Sequence, residues 1–376
     1  MAGIYIHIPF CRSRCIYCAF YSTTRLEQRR RYVDALCREM EMRGKSVERI
    51  DTVYLGGGTP SQLTLGQLKQ LFLYINKVYS LPSIQGEGGA EPEITIEANP
   101  DDVTDSFAAT LLQLGINRVS MGVQTFSEDR LRFLNRRHTA AQATEAVGIL
   151  RRAGIRNISI DLMYGFPDES LDDWQHDIDC ALRLGVEHIS AYCLAIEEGT
   201  ALYEKVKNRT IRSEDEETER QMYYTLIDRL EAAGYEHYEI SNFARRGFRS
   251  RHNSSYWTGV PYLGLGAAAH SYDGQHRSWN VSDIHRYIDG IENGTRDYEY
   301  ETIDDITRYN DRVMLALRTA DGLDLATLTD PDRAYLLSLA SKYLDQGLLC
   351  LSQDRLRLTR QGLFISDMVI SDLMQV

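Results

Sequence analysis

The sequence predicts an α/β fold: parallel β/α units wound into a partial or closed barrel, followed by a small C-terminal helical or winged-helix-like domain. Three observations predict it. Short β-branched runs alternate with amphipathic helical stretches every roughly 30 to 50 residues, the rhythm of parallel β/α units. A degenerate repeat places a glycine between each helix and the strand that follows. Near residue 300 the pattern turns helical, interrupted by a hairpin-like patch over 348–358.

Strands are expected at 4–8, 52–55, 94–96, 118–123, 158–162 and 187–192. Between them, Leu65, Leu68, Phe72 and Ile75 fall on one helical face, as do Phe107, Leu111 and Leu114, and Leu171, Trp174, Ile178 and Leu182. The repeat reads Gly115-Ile116-Asn117-Arg118-Val119-Ser120, returns at Gly154 and Gly185, and has a looser copy at Gly234. Glycine there supplies the left-handed cap that ends a helix. A flexible surface loop is expected over 81–92, and the run Glu214-Asp215-Glu216-Glu217 reads as a solvated helix start.

Charged residues number 42 basic and 54 acidic, a net charge of −12, which argues against nucleic acid as a partner. No stretch approaches the roughly 20 apolar residues of a membrane span. The N-terminus has no basic leader, so a cytoplasmic location is expected. Seven cysteines, an odd count in a long chain, argue against a disulfide framework. Cys37, Cys180, Cys193 and Cys350 are scattered in apolar settings and read as buried, inert thiols.

The other three form Cys11-x3-Cys15-x2-Cys18, directly after the first strand. Three thiolates in one tight loop can hold three irons of a 4Fe-4S cubane, leaving the fourth iron to the amino and carboxylate groups of a methionine. The alternative is structural zinc with His7 as fourth ligand, although such sites favour two separated ligand pairs.

With this motif, the run Tyr5-Ile6-His7-Ile8-Pro9-Phe10-Cys11 resembles the radical S-adenosylmethionine (SAM) superfamily. Within it, the chain resembles the group around oxygen-independent coproporphyrinogen III dehydrogenase and the heme chaperone HemW, across nearly its whole length. The resemblance implies a partial (β/α)6 TIM-like barrel over 1–235, a barrel-closing segment over 236–300 and a HemN-like C-terminal domain over 301–376. It implies that Gly57, Gly58 and Thr59, in the loop Gly56-Gly57-Gly58-Thr59-Pro60-Ser61, contact the SAM amino group. Read alone, that loop is a strand-to-helix turn or a cofactor loop; a phosphate loop would want a Gly-Lys-Ser/Thr sequence.

Side chains at the carboxyl ends of parallel strands face a shared site. Glu97, Gln124 and Asp161 occupy such ends, and Arg136 follows Gln124. Singly, each could be a helix cap or a surface partner. The neighbourhoods Glu97-Ala98-Asn99-Pro100 and Asp161-Leu162-Met163-Tyr164-Gly165-Phe166-Pro167 match the family, which implies that Tyr5, Glu97, Gln124, Arg136 and Asp161 bind SAM.

Three departures separate the chain from the dehydrogenase. Phe20 stands where that enzyme has a further cysteine. His252-Asn253-x2-Tyr256-Trp257 resembles a HemW signature. Cys11 comes almost at once, so the dehydrogenase's N-terminal arm is not expected. The implied function is a heme chaperone that binds heme as cargo, carries a SAM-coordinated cluster and delivers heme to acceptor apoproteins. A homodimer and peripheral membrane contact through an acceptor belong to the same expectation. His252 is a candidate heme ligand; the alternative is a loop packing the barrel mouth. Structural roles are favoured for His270 and Tyr272. The alternative function is radical decarboxylation of coproporphyrinogen, with porphyrin methyl transfer or ring opening a third reading, so enzymatic activity stays open.

Overall fold

The computed structural model describes residues 2–44, 50–79, 81, 91–211 and 214–376. Most of the expected 81–92 loop lies outside the described residues. Six strands follow one another in parallel: β1 (Ala2–Ile8), β2 (Ile50–Gly57), β3 (Glu93–Ala98), β4 (Arg118–Gln124), β5 (Asn157–Tyr164) and β6 (His188–Cys193). All six expected strands form, five of them longer by one to four residues and the sixth displaced by one residue. Their core-facing residues, among them Ile4, Val53, Ile96, Val119, Ile160 and Ile189, pack under helices. Helix Leu65–Tyr79 buries Leu68, Phe72 and Ile75, and helix Leu171–Leu184 buries Trp174 and Ile178, as their period requires.

The repeat glycines sit where the cap needs them. Gly115, Gly154, Gly185 and Gly234 all have positive φ, between 61° and 101°. Asp215 caps helix Glu216–Ala232 through the Thr218 amide, so the acidic run is a helix start.

Six further strands extend the sheet at both ends. Beyond β6 come β7 (Glu236–Glu239) and β8 (Asn242–Ala244), with β8 antiparallel to β6. Beside β1 lies β9 (Tyr262–Leu265), parallel to it, then the antiparallel β10 (His270–Tyr272), β11 (His276–Asn280) and β12 (Tyr298–Thr302). The result is one twelve-stranded sheet curled around a polar lumen. Glu39 of helix Arg29–Arg43 ties that helix to the segment following β9. This fully buried carboxylate accepts from the Gly266 amide (2.8 Å), Asn280 Nδ2 (2.9 Å), the Tyr287 hydroxyl (2.7 Å) and Arg43 Nη1 (3.2 Å). A buried charge persists only with such a complete set of donors.

From residue 303 a second core forms around Tyr309, Val313, Leu336, Leu356 and Val369. Helices Asp305–Leu317 and Asp330–Asp345 pack on a small sheet of β13 (Leu323–Asp324), β14 (Leu349–Ser352) and β15 (Arg355–Leu358). Gln353 and Asp354 both take positive φ, as a two-residue hairpin turn requires. This is the helical domain with a hairpin expected from the sequence.

Candidate functional site

Every residue assigned from the sequence to the cluster or to SAM lines one cavity of about 660 Å³ at the carboxyl ends of β1–β6. Cys11, Cys15 and Cys18 come from the loop after β1, Gly57, Gly58 and Thr59 from the end of β2, and Glu97 from β3. Gln124 ends β4, Arg136 lies in the connection after it, Asp161 belongs to β5, and Tyr5 rises from β1.

The glycine loop is shaped for close approach. Gly57 has φ of 111°, and a Cβ there would sit 2.4 Å from the His7 ring. A Cβ on Gly58 would meet the Pro9 carbonyl carbon at 2.7 Å. The His7 ring is fixed: Nε2 donates to the Tyr21 carbonyl (2.9 Å), and Nδ1 accepts from the Tyr5 hydroxyl (3.1 Å). Burial lowers its pKa to about 4, so the ring stays neutral. With both nitrogens committed, His7 is no fourth ligand for the zinc alternative.

Glu97 is held by two donors, the Tyr54 hydroxyl to Oε1 (2.8 Å) and the Gly57 amide to Oε2 (3.1 Å). Burial nevertheless raises it to about 7. Asp161 accepts from Ser190 and Ser120, yet burial raises it to about 6. Both carboxyls titrate near neutrality and favour a cationic partner. Arg136 donates to Asn99 Oδ1 (2.9 Å) and to the Gly122 carbonyl, and its Nη1 lies 3.5 Å from Cys15 Sγ. A Cβ on Gly122 would press on Arg136 and Gln124, the latter itself at a φ of 70°. A non-glycine residue in that region is strained, and such strain concentrates at binding sites.

The Cys11 and Cys18 thiols are pushed up by burial, with the Thr59 hydroxyl 3.4 Å from Cys11 Sγ drawing that thiol down. Among the described residues no three His, Cys, Asp or Glu side chains converge at metal-ligand distances. The fit to a cluster therefore rests on the donor set, three thiols on one loop facing one cavity beside a cationic guanidinium. That chemistry suits an iron–sulfur cubane.

The structure does not bring His252 to this cavity. It lies on helix Arg251–Trp257, which plugs the opposite, amino-terminal ends of the strands. The side chain is fully buried; Nδ1 pairs with Thr52 Oγ1 (2.8 Å), Nε2 with the Tyr256 hydroxyl (2.8 Å), and burial lowers its pKa to about 3. Neither ring nitrogen is open to an iron, which corrects the expectation of heme ligation by His252 in this conformation. His270 stacks on Trp279 with centroids 5.7 Å apart.

The four remaining cysteines also need correction. Only Cys37 is buried; Cys350 is exposed, because β14 stands out as part of a hairpin. Cys193, at the end of β6, lines the same cavity as the cysteine loop. Asn99, Ser120, Ser190 and Tyr192 also belong to the site and were not singled out from the sequence. Strand alternation held the signal: Ser190 and Tyr192 share a face of β6, and Ser120 sits two residues before Gly122 on β4.

Known proteins repeat this organisation. A family model described as the radical SAM superfamily matches residues 5–181, and one described as the HemN C-terminal domain matches 303–365. The chain is 35% identical over 383 residues to the heme chaperone HemW of Mycobacterium tuberculosis (strain CDC 1551 / Oshkosh), covering 99% of this chain and 94% of that one. It is 34% identical over 379 residues to HemW of Bacillus subtilis (strain 168), covering 98% of each. The structure of coproporphyrinogen III oxidase (HemN) from Escherichia coli, a radical SAM enzyme, aligns with a TM-score of 0.85 over 100% of this chain and 90% of that one, at 21% identity, a likeness of fold. Identity above 30% over nearly the full length of both chains, together with the three-cysteine loop on its curled parallel sheet, establishes that the chain belongs to the heme chaperone HemW family.

Proposed function

We propose that the chain is a heme chaperone: it binds heme, holds a SAM-coordinated 4Fe-4S cluster through Cys11, Cys15 and Cys18, and delivers heme to acceptor apoproteins. The observation that carries this is full-length similarity to two chaperones of that name. Phe20 supports it: 72% exposed, it stands at the cavity mouth where the dehydrogenase has its further cysteine. The likeness to the oxidase is one of fold and does not favour decarboxylation. A cytoplasmic location, a homodimer and contact with membrane-bound acceptors are parts of the same proposal. No helix among the described residues is long and apolar enough to cross a membrane.

When bound, the cluster supplies single-electron reducing power beside the sulfonium. The chain's own residues orient the nucleotide. Glu97, steadied by Tyr54 and Gly57, offers an acceptor for an amino N–H. Arg136, anchored on Asn99, offers a donor for a carboxylate. The bare backbone at Gly57 and Gly58 lets these groups approach. Asp161, between Ser120 and Ser190, is an acceptor for hydroxyls.

The test is titration of the full chain with hemin, with and without reconstituted cluster, followed by transfer to an apo-hemoprotein. A stoichiometric Soret complex that passes its heme onward is expected. No complex in either state would remove the chaperone reading; protoporphyrinogen formation from coproporphyrinogen under anaerobic conditions would restore the oxidase.

A further inference from the structure

A second and larger cavity, about 1070 Å³, lies at the other end of the barrel, between helix Arg251–Trp257 and the C-terminal domain. It is at the upper end of the roughly 300–1,000 Å³ typical of ligand cavities. Its charge is opposite to that of the molecule. The chain carries −12, yet this cleft is lined by six arginines against three aspartates and no other charged side chain. The aspartates are already paired, Asp311 with Arg277, Asp321 with Arg249 (2.9 Å) and Asp324 with Arg355 (3.0 Å). Arg308, Arg312 and Arg357 remain. They donate to main-chain carbonyls, of Gly274, Thr327 and Ala320 among others, and form no ion pair among the described residues.

The facing wall is aromatic. Tyr256, Trp257, Tyr262 and Tyr272 line it, Tyr256 meeting Tyr262 edge-on at 4.6 Å. Trp257 Nε1 is buried without a hydrogen-bond partner.

We propose that this cleft is where the cargo sits: a planar macrocycle bearing two carboxylates, its flat face on Trp257 and the tyrosines and its carboxylates on Arg308, Arg312 and Arg357. The inference rests on the chaperone reading and deepens it. It separates the cargo from the cluster by the length of the barrel lumen. It also gives the His-Asn-x-x-Tyr-Trp helix a binding role through Tyr256 and Trp257, with His252 positioning Tyr256 from behind at 2.8 Å.

The test compares hemin with hemin dimethyl ester, in which both carboxylates are blocked, on the cluster-reconstituted full chain. Arg308→Ala/Arg312→Ala/Arg357→Ala should weaken hemin binding about tenfold or more, a loss of at least ~1.4 kcal/mol. Binding of the ester should be unchanged, as should SAM binding at the opposite cavity, which also reports folding. Should the triple variant not fold, Arg312→Glu alone, on an exposed helical position, should weaken hemin and spare the ester. Hemin should quench wild-type tryptophan emission, and Trp257→Phe should remove most of that quenching. Wild-type hemin affinity in the arginine variants, or equal losses for hemin and ester, would place the cargo elsewhere while leaving the chaperone reading intact. A wild type that binds no hemin would end both.

Discussion

Tyr54 donates its hydroxyl to one Glu97 oxygen at 2.8 Å, while the Gly57 amide holds the other at 3.1 Å. The same tyrosine ring stacks on His252, centroids 5.1 Å apart. One side chain thus links a residue of the cysteine-lined cavity to the helix that plugs the far end.

The first prediction concerns the pH dependence of SAM binding. An amino N–H donates more strongly to the ionised Glu97, which burial raises to about 7. Affinity should therefore rise as pH increases through about 7 and fall below it. Glu97→Gln should weaken binding by about 10- to 100-fold at pH 8, the range of a charge-assisted hydrogen bond, and should flatten the profile. Calorimetric titration between pH 6 and pH 8.5 measures both effects; a variant that keeps the wild-type slope would exclude Glu97 as the titrating group.

Cluster ligation should be confined to the N-terminal loop. Cys11→Ser, Cys15→Ser and Cys18→Ser should each lose most iron and acid-labile sulfide after anaerobic reconstitution. Cys193→Ser should retain both, although Cys193 lines the same cavity. It ends β6, outside the loop that brings the other three thiols together.

Gly57→Ala should destabilise the fold by about 2–4 kcal/mol, combining a disfavoured backbone conformation with a clash in packed surroundings. The new methyl would meet the His7 ring, which cannot yield because Tyr21 and Tyr5 hold its two nitrogens. In Gly57→Ala/His7→Ala the steric part should vanish and the backbone part remain, giving a non-additive pair in denaturant unfolding.

His252 should make the protein acid-sensitive. The buried ring stays neutral down to about pH 3, whereas an unfolded histidine takes a proton near pH 6.5. Between those values the unfolded state binds more protons, so this group's contribution to stability falls as pH drops below about 6.5. His252→Gln should cost stability at pH 8, where the Thr52 and Tyr256 bonds are disturbed. That deficit should shrink steadily toward pH 4, and a constant deficit across the range would mean that His252 does not carry the linkage.

The fold was legible because its signals are local. Apolar period placed Leu68, Phe72 and Ile75 on one face, and the glycines at 115, 154 and 185 marked three helix ends. The candidate site was legible because a parallel sheet gathers its strand ends, so Glu97, Gln124 and Asp161 could be expected to meet without any known contact. What escaped depends on long-range placement. His252 pairs with a threonine 200 residues earlier, and nothing near it in sequence says that its helix faces the far end of the barrel. Cys350 has apolar neighbours, but β14 is a projecting hairpin strand where Leu351 too is exposed. The arginine cleft joins side chains from both cores, each unremarkable in its own segment.

The Glu39 hub bears on how such a chain can be synthesised. A ribosome that has reached residue 235 has released Glu39 but not Gly266, Asn280 or Tyr287, three of the groups that satisfy it. Until those emerge, the nascent barrel holds an anion that water must solvate, and helix Arg29–Arg43 cannot settle against the sheet.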